Sequence, residues 1–147
     1  IHEELKMTFN EAERKGLFLE TNPFSTGHRY GTLLSELNYA RKEEKVLVID
    51  CEVNGAIQIC KKYPKNTSCI FLDVSDEEGE IRLTNEDTRK RDSIPQRIKN
   101  LREQRYVAGK NPDIFKTFFE TTGIKKELVF SVVESFFIEE LNLKTPF

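Results

Sequence analysis

"SCIFLDV", residues 68–74, is a short apolar run bounded by polar residues, and its apolar residues are continuous rather than alternating. A second run of this kind, "KVLVID", occupies residues 45–50. Continuous apolar runs of this length are typical of strands that are covered on both faces, as in a parallel sheet. The segment between the two runs, "GAIQICKKY" (55–63), has the length of a crossover helix. Together they predict a right-handed strand–helix–strand unit with parallel strands, in which Ile57 and Cys60 face inward.

The chain on either side of this unit is predicted to form further helices and one more strand. Ser75 precedes Glu78 by three residues, which is the pattern of a capping box at a helix start. Ser93 precedes Gln96 in the same way. The remaining predicted elements are an amphipathic helix at 33–44, a strand at 113–120 and a terminal helix at 125–141. The sequence therefore predicts an α/β domain with a mostly parallel sheet and helices on both faces.

The composition is that of a charged chain of one domain's length, without a large excess of either sign. The 147 residues are 33% charged and carry a net charge of −2, whereas nucleic-acid binders usually show a basic excess or a basic face. No apolar run reaches the roughly 18 residues that a membrane span needs. We therefore expect neither a nucleic acid nor a membrane as a partner, and a cytoplasmic location.

The three cysteines, Cys51, Cys60 and Cys69, lack CxxC spacing and lie in or beside apolar segments. This pattern predicts free, buried thiols in a reducing compartment. A metal site needs several ligands close together, and the two histidines, His2 and His28, are far from the cysteines in sequence. We therefore expect no metal site in this chain.

The stretch "FSTGHRYGT" (24–32) has the composition of a ligand-binding loop, but its residues also have ordinary structural uses. Tyr30 is suited either to a ligand contact or to covering a sheet edge. Thr32 is suited either to a ligand contact or to capping the helix that starts at Leu33. Asp50, at the end of a predicted central strand, lies where α/β proteins usually bind ligands, but it also suits the start of a loop.

Five segments resemble the guanylate kinase family in their order and spacing. They are "GLFLE" (16–20), "FSTGHRYGT" (24–32), "VIDCEVNGA" (48–56), "IFLDVSDEEGEIRL" (70–83) and "TRKRDSIPQRI" (88–98). The resemblance implies a P-loop-type nucleoside monophosphate kinase fold whose N-terminal part is absent. The implied regions are a GMP-binding region at about 1–32, a core at 33–85, a lid at about 84–97, and a C-terminal strand and helix within 98–147.

The resemblance also implies a role for each of five residues. Glu20 would accept hydrogen bonds from N1–H and the exocyclic amine of guanine, since a carboxylate offers two adjacent acceptors. Thr32 would reach the carbonyl edge of the base, and Tyr30 would contact the phosphate. Glu52 stands where the family has an aspartate that reads the amine side of the base. Arg97 matches a catalytic arginine of the family.

Three departures from the family bear on activity. The motif G-x-x-x-x-G-K-[ST], which holds the phosphates of ATP and supplies a ligand to Mg²⁺, does not occur in the 147 residues. The first lid arginine of the family falls on Glu86, and a phosphate-binding tyrosine falls on Ile1. These departures favour a catalytically inactive domain with a residual GMP-type pocket.

Three functions stay open at this point. The first is a protein-interaction or scaffold module, associated with the cytoskeleton, that binds a protein partner or neighbouring domains of a larger polypeptide. The second is a fragment of an active guanylate kinase that transfers the γ-phosphate of ATP to GMP. In that case, ATP and Mg²⁺ bind through a P-loop upstream of this chain. The third is a sensor that binds GMP without turnover. This chain by itself is expected to hold no cofactor.

Overall fold

The computed structural model describes residues 7–23, 29–86 and 93–140. The chain divides into two compact units, Ile1–Thr67 and Ser68–Phe147. The first contains α1 (Phe9–Arg14), β1 (Phe18–Pro23), β2 (Arg29–Leu33), α2 (Leu34–Lys42) and α3 (Val53–Lys62). The second contains β3 (Ile70–Asp73), α4 (Asp76–Glu86), α5 (Ile94–Gly109), β4 (Thr117–Glu120) and α6 (Lys126–Glu140). The predicted α/β class is confirmed. The predicted mostly parallel sheet is not, because among the described strands β1 pairs with β2 antiparallel and only β3 pairs with β4 in parallel. Among the described helices, none combines the length and the apolar character needed to cross a bilayer.

Strands β1 and β2 pair antiparallel, so that Glu20 lies opposite Thr32 and Asn22 lies opposite Tyr30. The register shifts at the start of β1, beside Leu19, which is 1% exposed. Residues directly opposite each other in an antiparallel pair have neighbouring side chains. The pairing therefore brings polar side chains of β1 and β2 together at the centre of the hairpin.

Gly31 is required by the close approach of the two strands. A Cβ at this position would lie 2.7 Å from the backbone oxygen of Glu20 and 3.0 Å from the ring of Phe18. A backbone oxygen cannot swing aside as the end of a flexible side chain can. Only glycine fits here without a shift of the strands, so this glycine has a packing role in the hairpin.

Side chains of α3 cover the edge of β1 that β2 leaves open. The side-chain oxygen of Gln58 accepts a hydrogen bond from the N–H of Thr21 (3.2 Å), and the amide nitrogen of Gln58 donates to the carbonyl of Thr21 (2.7 Å). Lys62 donates to the carbonyl of Leu19 at 2.8 Å. Buried backbone groups at a strand edge need such partners. Helix α3 therefore takes the place of a third strand along β1.

The core of the first unit lies between the hairpin and the helices α2 and α3. The helix predicted at 33–44 is confirmed as α2. In α3, however, Val53 and Ile59 are the buried apolar side chains, while Ile57 and Cys60 are half-buried. The most buried apolar positions of α3 are therefore not the predicted ones.

The prediction of a strand at 45–50 is wrong. The segment has no regular secondary structure, and Val46 and Val48 are 46% and 61% exposed. Lys45 donates its N–H to the carbonyl of Ala40 at 2.8 Å and so closes the end of α2. A strand exists only through hydrogen bonds to a neighbouring strand. Among the described strands, β3 pairs with β4 alone, so the predicted strand–helix–strand unit is not formed.

The second unit contains a parallel pair of strands, β3 and β4. The strand predicted at 68–74 is confirmed, whereas the strand predicted at 113–120 forms only from Thr117. Before Thr117 the chain turns, and the N–H of Phe115 donates to the carbonyl four residues earlier at 3.0 Å. Phe115 is 4% exposed and meets the ring of Phe71 edge-on. This aromatic contact holds the turn against β3, which is why the start of the predicted strand is lost.

The two predicted capping boxes have different outcomes. Ser75 accepts the N–H of Glu78 at 3.2 Å, so α4 begins near the predicted position. The N–H of Ser75 donates to Thr122 rather than to Glu78, so only half of the predicted box forms. Ser93 makes no side-chain capping bond to α5, and Gln96 instead donates to the side chain four residues further along the helix at 2.9 Å. Pro95 lies in the first turn of α5, where its missing N–H costs little. The helix therefore starts near the predicted position without the predicted box.

An ion-pair network joins α5 to the end of β3 and the start of α4. Arg105 donates to both carboxylate oxygens of Asp73 (2.9 and 2.8 Å) and to the carbonyl of Val74 (2.6 Å). Asp76 accepts from Arg105 at 3.2 Å and from Arg102 at 2.5 Å. The hydrogen bond from Arg102, with that from Arg105 in addition, holds the pKa of Asp76 below its ordinary value of 3.8. The network therefore favours the ionised form of Asp76 in the folded state.

Gly31→Ala should destabilise the first unit, because the new Cβ meets the backbone oxygen of Glu20 at 2.7 Å. Overpacking of this kind costs about 1–3 kcal/mol in free energy of unfolding. The measurement is the midpoint of urea unfolding followed by far-ultraviolet circular dichroism. Gly109→Ala is the control, since nothing lies within 4 Å of its new Cβ, and it should leave the midpoint unchanged or raise it. A Gly31→Ala chain as stable as the wild type would show that the strand spacing does not require glycine.

The stability of the second unit should fall as the pH drops below about 4. The pKa of Asp76 is lower in the folded state than in the unfolded state, so the unfolded state takes up the proton first as the pH falls. Stability present above the unfolded pKa is therefore lost as the pH approaches the folded pKa. Arg102→Gln should make the urea midpoint depend less steeply on pH in this range. Lys99→Gln, which removes an exposed 3.9 Å pair with Glu103, should keep the wild-type steepness. If the urea midpoint of Arg102→Gln depended on pH as steeply as that of the wild type, the ion pair of Arg102 with Asp76 would not be the cause of this pH dependence.

Candidate functional site

Glu20 is a buried carboxylate at the centre of the hairpin. It is 4% exposed, and its Oε1 accepts hydrogen bonds from the backbone N–H and the side-chain hydroxyl of Thr32, both at 2.8 Å. The register places these two residues opposite each other. Burial of an ionised carboxylate is costly unless hydrogen bonds compensate for the lost water. The contact with Thr32 therefore stabilises Glu20 in its buried position.

The second oxygen of Glu20 faces Asn22 and α3. Oε2 accepts a hydrogen bond from Nδ2 of Asn22 at 3.3 Å, and it lies 2.7 Å from the position that a Cβ of Gly55 would take. A side chain at position 55 would displace the carboxylate or the amide, so glycine lets α3 close directly over Glu20. We call the group formed by Glu20, Asn22, Thr32 and Gly55 the Glu20 site.

Asn22 was missed by the sequence analysis. It is 7% exposed, and its Oδ1 accepts no hydrogen bond within the part of the chain that the structure describes. A buried acceptor without a donor costs about 1–3 kcal/mol. Asparagine is depleted in strands, and alternate residues of a strand share one face. A polar residue two positions after Glu20 is therefore the signal that could have identified Asn22.

Cys51 lies in negatively charged surroundings close to the Glu20 site. Burial raises the pKa of the Cys51 thiol to about 11. Nearby acidic groups add to this effect and are, in decreasing order, Glu20, Asp50, Cys60 and Glu52. The thiol is protonated at neutral pH, so it is not a nucleophile. Carboxylates gathered in this way favour a ligand group that presents N–H donors over one that carries negative charge.

The structure distinguishes between the two uses considered for Thr32. Helix α2 begins at Leu34 with Leu33 as its N-cap residue and no side-chain capping bond. The hydroxyl of Thr32 binds Glu20 instead, so the capping role is wrong. Tyr30 is 65% exposed, so most of its surface stays in solvent rather than packed against the sheet edge. Its contact with a phosphate stays a prediction.

The other predicted site residues are Glu52, Asp50 and Arg97. Glu52 is the N-cap residue of α3, is half-buried, and makes no side-chain capping bond. Asp50 lies two residues earlier in the irregular segment and is exposed. Arg97 lies on α5 in the second unit and is half-buried. The ligand and catalytic roles of these three residues stay predictions.

Arg29, from the same sequence motif as Tyr30, joins β2 to α1. Its guanidinium pairs with the carboxylate of Glu13 and donates to the side-chain oxygen of Asn10 at 2.5 Å. It also lies over the ring of Phe9, 4.3 Å from the centroid. The hydrogen bond from Arg29 lowers the pKa of Glu13. Arg29 thus has structural partners that hold the end of the hairpin.

Metal-ligating residues are not grouped in the described part of the chain. Within residues 7–23, 29–86 and 93–140, no three His, Cys, Asp or Glu side chains come together in a way that could hold a metal ion. None of the three cysteines forms a disulfide, and all three are half-buried. The prediction of thiols outside disulfides is therefore confirmed, while their burial is only partial.

Part of the predicted site lies outside the described residues. This part comprises Ile1, residues 24–28 of "FSTGHRYGT", the lid residues 87–92 and the side chain of Glu86, whose backbone ends α4. The predictions made for these residues stay predictions.

Curated proteins named guanylate kinase match this chain, although no family model does. The one from Prochlorococcus marinus (strain MIT 9312) is 37% identical over 90 residues, which are 61% of this chain and 48% of that protein. The one from Lactobacillus acidophilus is 35% identical over 97 residues, which are 65% of this chain and 47% of that protein. The one from Fusobacterium nucleatum is 33% identical over 81 residues, which are 54% of this chain and 44% of that protein.

The chain spans about half the length of the curated relatives it matches. Two of the five sequence segments meet in the hairpin, where Glu20 of "GLFLE" accepts both hydrogen bonds from Thr32 of "FSTGHRYGT". The relatives and these segments identify a guanylate-kinase-like domain in this chain.

Proposed function

We propose that this domain binds the guanine base of GMP at the Glu20 site, and that the chain by itself is catalytically inactive and serves as a protein-interaction or scaffold module. The observation that carries the binding proposal is the contact of Glu20 with Thr32. It brings an acceptor of N–H groups and a hydroxyl within 2.8 Å of each other. Guanine presents N–H donors beside a carbonyl oxygen, so this pair of side chains complements one edge of the base.

Ligand binding would require a rearrangement within the Glu20 site. The hydroxyl of Thr32 donates to Oε1 of Glu20, so it is not directed at a ligand in this structure. A hydroxyl rotates with little restriction. Rotation of the Thr32 hydroxyl toward the base carbonyl would free one acceptor position on Oε1 for an N–H of the base, while the backbone N–H of Thr32 keeps the other. The internal hydrogen bond thus holds the carboxylate in place until the base replaces it.

The charge around the site supports a base at this end of the ligand. Glu20, Asp50 and Glu52 all act on Cys51, and together they would repel a phosphate. Glu52 would read the amine side of the base. Tyr30, exposed on β2, would contact the phosphate beyond the base.

The proposed inactivity of this chain rests on the missing phosphate cradle. The Gly-Lys pair at positions 109 and 110 does not replace it, because Gly109 is the last residue of α5 and Lys110 is its C-cap residue. Phosphates bind at helix N-termini, where N–H groups point outward, and a helix C-terminus presents carbonyl oxygens instead. This geometry supports a domain that binds without transferring a phosphoryl group.

A second candidate function is phosphoryl transfer from ATP to GMP by a longer polypeptide of which this chain is part. The curated relatives are named guanylate kinases and are longer than the part that this chain matches, which favours this function. In that case a P-loop outside this chain would hold ATP and Mg²⁺, and Arg97 would stabilise charge on the transferring phosphoryl group.

Glu20→Gln should weaken GMP binding by about 2 kcal/mol, roughly thirtyfold in Kd, because it removes charge-assisted hydrogen bonds to the base. Glutamine keeps an acceptor for Thr32, and the amide of Asn22 can turn to accept from the new amide, so the hairpin should remain folded. The measurement is isothermal titration calorimetry with GMP and, separately, with guanosine, which isolates the base from the phosphate.

Glu36→Gln is the matched control, since Glu36 lies exposed on α2 of the same unit. It should bind GMP and guanosine as the wild type does. Failure of the wild type to bind either ligand would overturn the proposed base site. Equal binding by wild type and Glu20→Gln would remove Glu20 from that role.

The chain alone should form no GDP from ATP, GMP and Mg²⁺, because it lacks the motif that holds the ATP phosphates. The measurement is GDP formation by chromatography, with a complete guanylate kinase as the positive control. GDP formed in proportion to the concentration of this chain, and abolished by Arg97→Met, would favour the second candidate function over the first.

A further inference from the structure

The side-chain amide of Asn22 has a fixed orientation and one open acceptor. Its nitrogen donates to Oε2 of Glu20 at 3.3 Å. Turning the amide over would place two oxygens against each other, so the hydrogen-bond network determines which end faces the carboxylate. Oδ1 is therefore the end that points away from Oε2, and it has no donor within the described part of the chain.

The surroundings of Asn22 limit what can fill this acceptor. The residue is 7% exposed, and its amide nitrogen lies 3.0 Å from the position of a Cβ on Gly55. On the nitrogen side of the amide, α3 therefore packs too closely for another side chain. With the Glu20 carboxylate beside it, the site favours a small group that donates a hydrogen bond and carries no negative charge.

The hydrogen-bond inventory of guanine supplies such a group. Its exocyclic amine has two hydrogens, and N1–H is a third donor beside them. If Glu20 accepts from N1–H and from one hydrogen of the amine, the second amine hydrogen needs another acceptor. Asn22 lies two residues along the same face of β1, next to Glu20, and its Oδ1 is free to accept.

We infer that Oδ1 of Asn22 accepts a hydrogen bond from the exocyclic amine of the bound purine, which makes Asn22 a determinant of specificity for GMP over nucleotides that lack this amine. The inference rests on the proposed function, since it requires a purine at the Glu20 site. It adds a neutral acceptor on β1 to the carboxylates that the family resemblance assigns to base recognition.

The test compares GMP with IMP, which has hydrogen in place of the exocyclic amine. Titration calorimetry is done on the full chain as wild type, Asn22→Ala, Glu52→Gln and Asn54→Ala. The wild type should prefer GMP, and Asn22→Ala should lower the ratio of GMP to IMP affinity about tenfold, the effect of one lost hydrogen bond. IMP affinity should hardly change. Asn54, exposed on α3 of the same unit, is the matched control and should keep the wild-type ratio.

The outcomes separate this inference from the proposed function. No binding of either nucleotide by the wild type would overturn both. An equal loss of GMP and IMP affinity in Asn22→Ala would show that Asn22 only positions Glu20, and the inference would be wrong while the proposed function stands. An unchanged ratio of GMP to IMP affinity in Asn22→Ala would show that Oδ1 binds water. In that case too, the inference would be wrong while the proposed function stands. A ratio lowered by Glu52→Gln alone would assign the amine to Glu52 and overturn the inference.

A second measurement on the wild type guards against misfolding of the variant. The side-chain amide resonances of Asn22 in a ¹⁵N-labelled sample should shift on addition of GMP and shift less on addition of IMP at equal saturation. Equal shifts with the two nucleotides would overturn the inference without any substitution.

Discussion

The buried carboxylate of Glu20 sets the constraint on which the rest of the first unit depends. A carboxyl group with 4% exposure is stable only when hydrogen bonds replace its water. Thr32 and Asn22 supply three such bonds, and both depend on the strand register. A slip of one residue would turn every side chain of β1 to the other face. The polar centre of the hairpin and its register therefore stabilise each other.

Helix α3 is the second part of the same arrangement. Gly55, Gln58 and Lys62 recur at helical spacing, so they lie on one face of α3. That face meets β1 through a close approach at Gly55 and through hydrogen bonds from the other two side chains to the strand backbone. The helix thus closes the Glu20 site and covers the strand edge at once. Under this helix, Oδ1 of Asn22 is buried without a hydrogen-bond donor. The same packing that closes the site therefore leaves one acceptor for a ligand.

Local patterns predicted helices α2 to α6 but neither α1 nor the hairpin of β1 and β2, and they failed where a strand needed a partner. The helix at 33–44 and the cap at Ser75 follow from residues within one or two turns of each other. The strand predicted at 45–50 needed a neighbour that the described strands do not provide. At Ser93 the predicted capping box does not form, because the side chain of Gln96 donates a hydrogen bond to Asn100 on the same helix instead. Alternatives of this kind are close in energy, so the sequence pattern could not choose between them.

The sequence by itself determined the α/β class, the positions of helices α2 to α6 and the family resemblance, because these depend on residue types at short or fixed spacings. From the sequence, Glu20 and Thr32 were each expected to contact the same ligand, and no contact between the two side chains was predicted. The tertiary structure decided that Thr32 binds Glu20 directly and that Gly55 packs on the carboxylate. It also decided that Asn22 is buried with an open acceptor. Such contacts join residues that are distant in the chain, and their geometry exists only after strand pairing and helix packing bring those residues together.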